Sequence, residues 1–401
     1  MNQAMAFASA TSSAKATDDA LEQIREQLKD RLPGPADLVV IFATAHHASN
    51  LGTIGQAMDR QFGPQRCLGC ITSGVIGQRR EMDQGAGLSV LVARLPGVTL
   101  EPIHANRWDV PALLEDRQAL AHAISKHASD GTLRAVLWLA DPSSVPMVKL
   151  MPALSEAISP VPVVGAMIRG VAQARGNRLL LDGEVLRDGA VGIAISGAVE
   201  VQTTVSQGCR PIGQPFVITQ SKRHVIQELG GINALAALRE MAAKLSRPEQ
   251  QLLKDKGLQV GRVMNEYKQR FGPGDFLIRD WIGADEKTGF LAIADPQVRV
   301  GQTIQFHLHD KAAAAKDLEM MLDAQKVYGP GAGGLLFACD KRGRNLFQTP
   351  HCDARAIDQA VGPMPLAGLF ASGEIGPVGG ASFVHRHAVS LAVFRPLPQE
   401  T

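Results

Sequence analysis

The polar residues best placed to do chemistry stand where apolar runs end. Ser73-Gly74, Arg169-Gly170 and Ser372-Gly373-Glu374 each close a strand-like segment, while His46, His47, Asp141 and Asp340 follow others. In open α/β sheets, ligands gather beyond the carboxyl ends of parallel strands, where loops converge. The ligand-binding candidates are therefore Ser73, Gly74, Arg169, Ser372, Gly373, Glu374, Gly376, Gly379, Gly380 and His385. Arg169 suits a carboxylate, because a planar guanidinium can grip one with two hydrogen bonds. Ser372–Gly380 holds four glycines in nine residues. As an open loop it would offer N–H groups to an anion, with Glu374 left to answer an ammonium. That combination suits a zwitterion such as an amino acid.

Other chemistries fit less well. His385 and His387 would share one face of a strand, but no third or fourth ligand is near in sequence, so no metal is expected. Alternation through Ile304–His309 puts His307 and His309 on a solvent-facing side. Cys67 and Cys70, three apart within a strand, point to opposite faces and read as buried small hydrophobes. Ser372 with His385 or His387 would make a serine hydrolase, but the glycine that precedes the serine in a Gly-x-Ser-x-Gly elbow is missing. Gly329–Gly334 precedes a strand instead of joining a strand to a helix, so it is no dinucleotide loop. The reading favours a binding protein over an enzyme without deciding between them, and names no catalytic residue and no cofactor.

The elements that must hold these residues repeat. Cys67–Gly77 aligns without gaps on Leu366–Gly376, with five identities: Gly69/Gly368, Ser73/Ser372, Gly74/Gly373, Ile76/Ile375 and Gly77/Gly376. A strand–helix–strand–strand pattern occurs three times. Its strands are expected at 37–43, 66–73 and 88–94, then 135–140, 161–168 and 190–196, and finally 334–339, 366–372 and 388–395. The continuous apolar runs and short crossovers imply parallel neighbours covered on both faces. The expected fold is α/β with mixed sheets and a smaller α+β insert. Residues 1–34 read as a disordered tail plus a helix, 35–205 as one α/β domain, and 206–401 as a second that includes the insert 206–330.

Bulk composition narrows the partners. The 401 residues carry 41 basic and 39 acidic side chains and 18 aromatics, which gives nucleic acid neither an electrostatic footprint nor stacking platforms. Five cysteines at irregular spacing fit a reducing compartment. With no signal peptide and no apolar stretch of about 20 residues, the expectation is a cytoplasmic protein with no membrane partner.

Several segments resemble the FIST family of bacterial sensory modules. The N-terminal part of that family resembles Gly69–Gly77 followed by Gly85–Ala93. Its C-terminal part resembles Pro215–Thr219, Gln227–Leu235 and, most specifically, Gly368–Gly380. The resemblance runs from about Pro35 to Phe394. It implies a small-ligand sensor, with amino acids proposed as ligands, that elsewhere feeds attached kinase, cyclase or chemotaxis domains. Since this chain ends at Thr401, the resemblance implies a free-standing binder with its cleft between the two halves, signalling to a protein partner non-covalently. The alternatives are a ligand-free interaction scaffold and the Ser372 hydrolase.

Overall fold

A computed structural model describes residues 4–106, 132–171 and 176–397. The first three residues of the expected tail and the last four of the chain lie outside them. Contacts group the chain into two units: Met1–Val205 with Glu319–Val384 and Val389–Thr401, and Ser206–Leu318 with His385–Ala388.

The first unit contains three lobes, each with its own six-stranded mixed sheet. In lobe I the first and second strands, Leu38–Thr44 and Arg66–Thr72, run parallel, and the third, Leu88–Arg94, pairs antiparallel with the first. Lobe II repeats this with Leu133–Ala140, Val163–Met167 and Ala190–Gly197. Lobe III repeats it with Gly333–Cys339, Leu366–Ala371 and Ala388–Pro396. In each sheet the strand that precedes the lobe in the chain, Ala6–Ser12, Val98–Ala105 or Val199–Gln207, lies beside the third strand. Helices Leu51–Phe62, Met147–Ala157 and Cys352–Val361 form the crossovers.

Alternation along the buried strands assigns the faces. Leu38, Val40 and Phe42 enter a core shared with Leu137, Leu139, Leu335 and Phe337 of the other lobes. Val39, Ile41 and Ala43 pack instead with Ile24, Ile54 and Met58 of the lobe I helices. A period of two on strands buried on both sides yields one shared core and a separate helix-covered layer.

The fifth and sixth strands of each sheet are supplied by another lobe. After its second strand each lobe sends out a hairpin. That of lobe I, Val75–Gly77 with Arg80–Met82, pairs with the second strand of lobe III. The lobe III hairpin, Gly373–Val378 with Ala381–His385, pairs with the second strand of lobe II. That of lobe II, Leu179–Leu181 with Glu184–Leu186, pairs with the second strand of lobe I. The exchange is cyclic, so no lobe has a complete sheet alone.

The expected disordered tail is corrected. Ala6–Ser12 pairs along its whole length with Leu88–Arg94. Its small residues let it lie close to helix Thr17–Leu28; Gln27 bonds both N–H and C=O of Thr11, and Phe7 reaches the shared core.

The second unit holds an antiparallel sheet that closes on itself, because Cys209–Lys222 pairs both with Thr303–His309 and with Val225–Leu229. Ile218, Ile226, Leu291, Ile304 and Phe306 pack together with Ala234, Leu235 and Met241 of helix Ala234–Ala243. Among the described residues no helix is long and apolar enough to cross a membrane.

Candidate functional site

The ends of the three second strands meet, lobe I joined to lobe III and lobe III to lobe II by hydrogen bonds and lobe II to lobe I by close packing. From lobe I, Thr72 Oγ1 and, at 3.2 Å, Ser73 Oγ donate to Phe370 O, and Gly74 O accepts from Phe370 N at 2.9 Å. From lobe III, Ser372 donates to Met167 O through both its N–H and its hydroxyl, at 3.0 and 3.1 Å. From lobe II, Gly170 lies so close to Ile71 that a side chain there would overlap it. Arg169 reaches from lobe II to Asp340 of lobe III, one Nη–Oδ contact of 3.3 Å, with the guanidinium side chain 58% exposed. Five predicted site residues, Ser73, Gly74, Arg169, Ser372 and Gly373, are thus brought together from both halves of the chain.

Asp141, at the end of the first strand of lobe II, braces this ring. Its carboxylate accepts from Ser143 and Ser144 hydroxyls at 2.6 and 2.7 Å and from Asn177 Nδ2 at 2.7 Å. Asn177 Oδ1 in turn accepts from Gly170 N at 3.0 Å. Such an interlocked set ties Gly170, beside Arg169, to the end of the first strand of lobe II. His47 is buried, bonded to Thr17 at 3.0 Å, and burial, then neighbouring His46, depress its pKa. It is a packed structural imidazole.

Other expected contacts are overturned. Ser372–Gly380 is no open loop: Gly373, Glu374 and Ile375 pair with Met167, Ala166 and Gly165, so their backbone belongs to a ladder. Glu374 is fully buried and acts electrostatically on Arg342. Gly379 and Gly380, both at positive φ, form the hairpin turn, six strand residues and so roughly 20 Å from Ser372. Gly376 abuts Ser390 and Val205. The Ser372 hydroxyl is committed to a carbonyl and not to an imidazole, which removes the nucleophile geometry.

The histidines also depart from expectation. His385 ends its strand, buried, and His387 lies beyond it at φ 59°, so they do not share a strand face. His387 Nε2 meets Asp280 Oδ1 at 2.9 Å, and the Asp280 carboxyl is held at about 2, its hydrogen bond to His387 and the charge of Arg386 outweighing burial. His307 and His309 are buried, not solvated; the His307 ring lies edge-on against Phe276 with centroids 4.8 Å apart, and burial lowers its pKa to about 4. No cluster of three or more potential metal ligands occurs among the described residues.

Cys67 and Cys70 do lie on opposite faces. Burial pushes the Cys67 thiol up to about 12 and Cys70 higher still. Cys209 and Cys339 are buried as well, leaving Cys352 partly exposed. Native-state alkylation near neutral pH should therefore modify one thiol, at Cys352; fast modification of a second, read by intact mass, would contradict this burial.

A third copy of the duplication is present and was missed. Val163–Gly170 stands in lobe II where Cys67–Gly74 and Leu366–Gly373 stand in lobes I and III; all three share glycines five apart, Gly69/Gly74, Gly165/Gly170 and Gly368/Gly373. The glycine spacing was the available signal. Arg169 occupies the position of Ser73 and Ser372, which makes it the odd member of an otherwise serine-bearing set.

Comparison with protein families matches the FIST N domain over residues 37–232 and the FIST C domain over 234–377. The chain belongs to the FIST family. FIST domains are generally thought to be small-ligand sensory domains. The boundary between the two matches falls inside the self-closed sheet. An uncharacterized Mycobacterium tuberculosis protein is 36% identical over 382 residues, covering 95% of this FIST chain and 96% of the relative. One from Mycobacterium bovis is 35% identical over 372 residues, covering 92% and 93%. Among solved structures, cyanuric acid hydrolase from A. caulinodans aligns over 98% of this chain and 99% of that one, at 9% identity and a TM-score of 0.35. A likeness at that score says nothing about chemistry here.

Proposed function

We propose that this FIST protein binds a small carboxylate-bearing molecule at the ring of second-strand ends, with Arg169 as its anchor. The observation that carries the reading is the state of that guanidinium: largely exposed, and held among the described residues by a single long contact to Asp340. A carboxylate offering two acceptors would displace the one Asp340 oxygen and gain a second charge-assisted bond. Asp340 would then be free to take a cationic group, so an amino acid fits as well as a simple acid. Ser73 and Ser372 border the site, their hydroxyls also able to accept while they donate to the neighbouring strand. Because the contacts come from three lobes, occupancy would favour the arrangement in which all three are seated, and a partner reading that arrangement would receive the signal. We place this activity in the cytoplasm, with output through a non-covalent protein partner.

Thermal unfolding against a panel of amino acids and small carboxylates tests the proposal. A ligand at 100 times its Kd stabilises the protein by about 2.7 kcal/mol. Arg169→Ala is expected to weaken the responding ligand by about 10- to 100-fold, the loss of a hydrogen bond to a charged group. It should cost the free protein under about 1 kcal/mol, because the ion pair is exposed. A ligand whose affinity is unchanged in Arg169→Ala would refute the anchor.

A further inference from the structure

Buried charge is unbalanced where the lobe I hairpin meets lobe III. Arg342, wholly buried, pairs with Asp353 through two bonds, Nε to Oδ2 at 2.8 Å and Nη2 to Oδ1 at 2.7 Å. Two further buried carboxyls, Glu81 and Glu374, act on the same region: the Arg342 charge bears on Glu81, and Glu374 bears on Arg342. Three acids around one base leave surplus negative charge out of water if all ionise.

Glu81 is the group placed to relieve it. It sits on the hairpin strand Arg80–Met82, and its Oε1 accepts from Ala354 N at 2.9 Å, in the first turn of helix Cys352–Val361. Its own N–H donates to His351 Nδ1 at 2.9 Å. Its second oxygen and Arg342 Nη1 are both buried with no hydrogen-bond partner among the described residues. The charged groups facing it are Asp353 and His351 at the helix start, Arg342 after strand Gly333–Cys339, and Asp83 on its own segment; Arg80, Arg344 and Arg355 surround His351. Burial, then the Asp353 charge, push the Glu81 carboxyl up to about 7, against the opposing pull of Ala354 N–H and Arg342.

We propose that Glu81 is a proton-operated clasp: protonated, it holds the lobe I hairpin to the lobe III helix; ionised, it loosens that hairpin. The hairpin begins at Val75, directly after Ser73-Gly74, so loosening would slacken one wall of the ring. That last consequence rests on the proposed ligand site; the clasp itself does not.

The sign follows from the raised folded-state value. Between the ordinary glutamate range near 4.5 and about 7 the folded protein holds a proton the unfolded chain has released, so stability falls as pH rises through that window and levels off above it. Glu81→Gln keeps the acceptor for Ala354 N and cannot ionise. Its midpoint should match wild type near pH 5 and exceed it by several degrees near pH 8, about 5 °C. Hydrogen exchange over 75–82, corrected for intrinsic rate, should quicken above neutrality in wild type and not in Glu81→Gln. Parallel midpoints across the range would overturn the clasp. Should the variant fail to fold, infrared titration of the wild type decides: a protonated carboxyl band persisting near pH 6 and lost through about pH 7 supports it, and its absence near pH 6 refutes it. None of these readouts needs the ligand, so failure of the ligand site and failure of the clasp are separable.

Discussion

Arg342→Met should cost the protein about 3–5 kcal/mol of unfolding free energy at neutral pH, because it strands the buried partner of an ion pair. Arg342 is the largest fully buried side chain in the described structure, and Asp353 meets it through two bonds. Removing the guanidinium leaves Asp353 without its counter-charge and takes favourable potential from Glu81 and Glu374. Those carboxyls can escape only by taking up protons, so the loss should shrink as pH falls. The double variant Arg342→Met/Asp353→Leu should recover much of it, since apolar replacement of both partners abolishes desolvation cost and attraction together. Urea unfolding of the two variants at two pH values measures each term. A single-variant loss below about 1 kcal/mol would mean that the pair is hydrated in solution and the charge at this junction is not truly buried.

That junction also shows where the sequence stopped being informative. The long apolar strands, such as Leu38–Thr44 and Gly333–Cys339, were legible because burial on both faces writes a continuous hydrophobic run. Crossover helices were legible because their apolar spacing closes at a left-handed glycine such as Gly63. The exchanged hairpins were not. Val75–Gly77 is three residues long, and Gly373–Val378 contains two glycines and a proline. Locally both read as loops, and only a second strand from another lobe makes them strands. Glu374 was misplaced for the same reason, as its backbone ladder lies in the sheet of lobe II.

The candidate site divided along the same line. Ser73, Arg169 and Ser372 were found from a rule about strand ends, which needs only the strand itself. Their mutual arrangement, Ser73 against Phe370 O and Ser372 against Met167 O, depends on the cyclic exchange. The duplication did point to it. Ser89 donates to Ile76 O at 2.7 Å and Ser390 to Ile375 O at 2.8 Å, so the Ile76/Ile375 identity marks matched hairpins in matched places. Conversely, His307 and His309 were misread because alternation gives a face but not what later covers it.

Gly165→Ala is expected to be among the most damaging single-methyl additions to this chain, costing about 3 kcal/mol or more. Glycines at corresponding second-strand positions face first-strand residues Ile41, Trp138 and Leu336 in register. A Cβ at Gly69, Gly165 or Gly368 would run into the carbonyl oxygen of that partner. Overpacking a tight core ordinarily costs about 1–3 kcal/mol as side chains shift, but here the obstacle is backbone held in a ladder. Gly165 carries an added penalty: its φ of 148° is one that residues with side chains rarely adopt. Gly379→Ala makes the control, because its Cβ meets nothing nearby and only the positive φ is penalised, at about 1 kcal/mol. Chemical denaturation of the two variants should therefore separate by about 2 kcal/mol. Equal losses would show that the first and second strands of lobe II can move apart, and with them the strand end that carries Arg169.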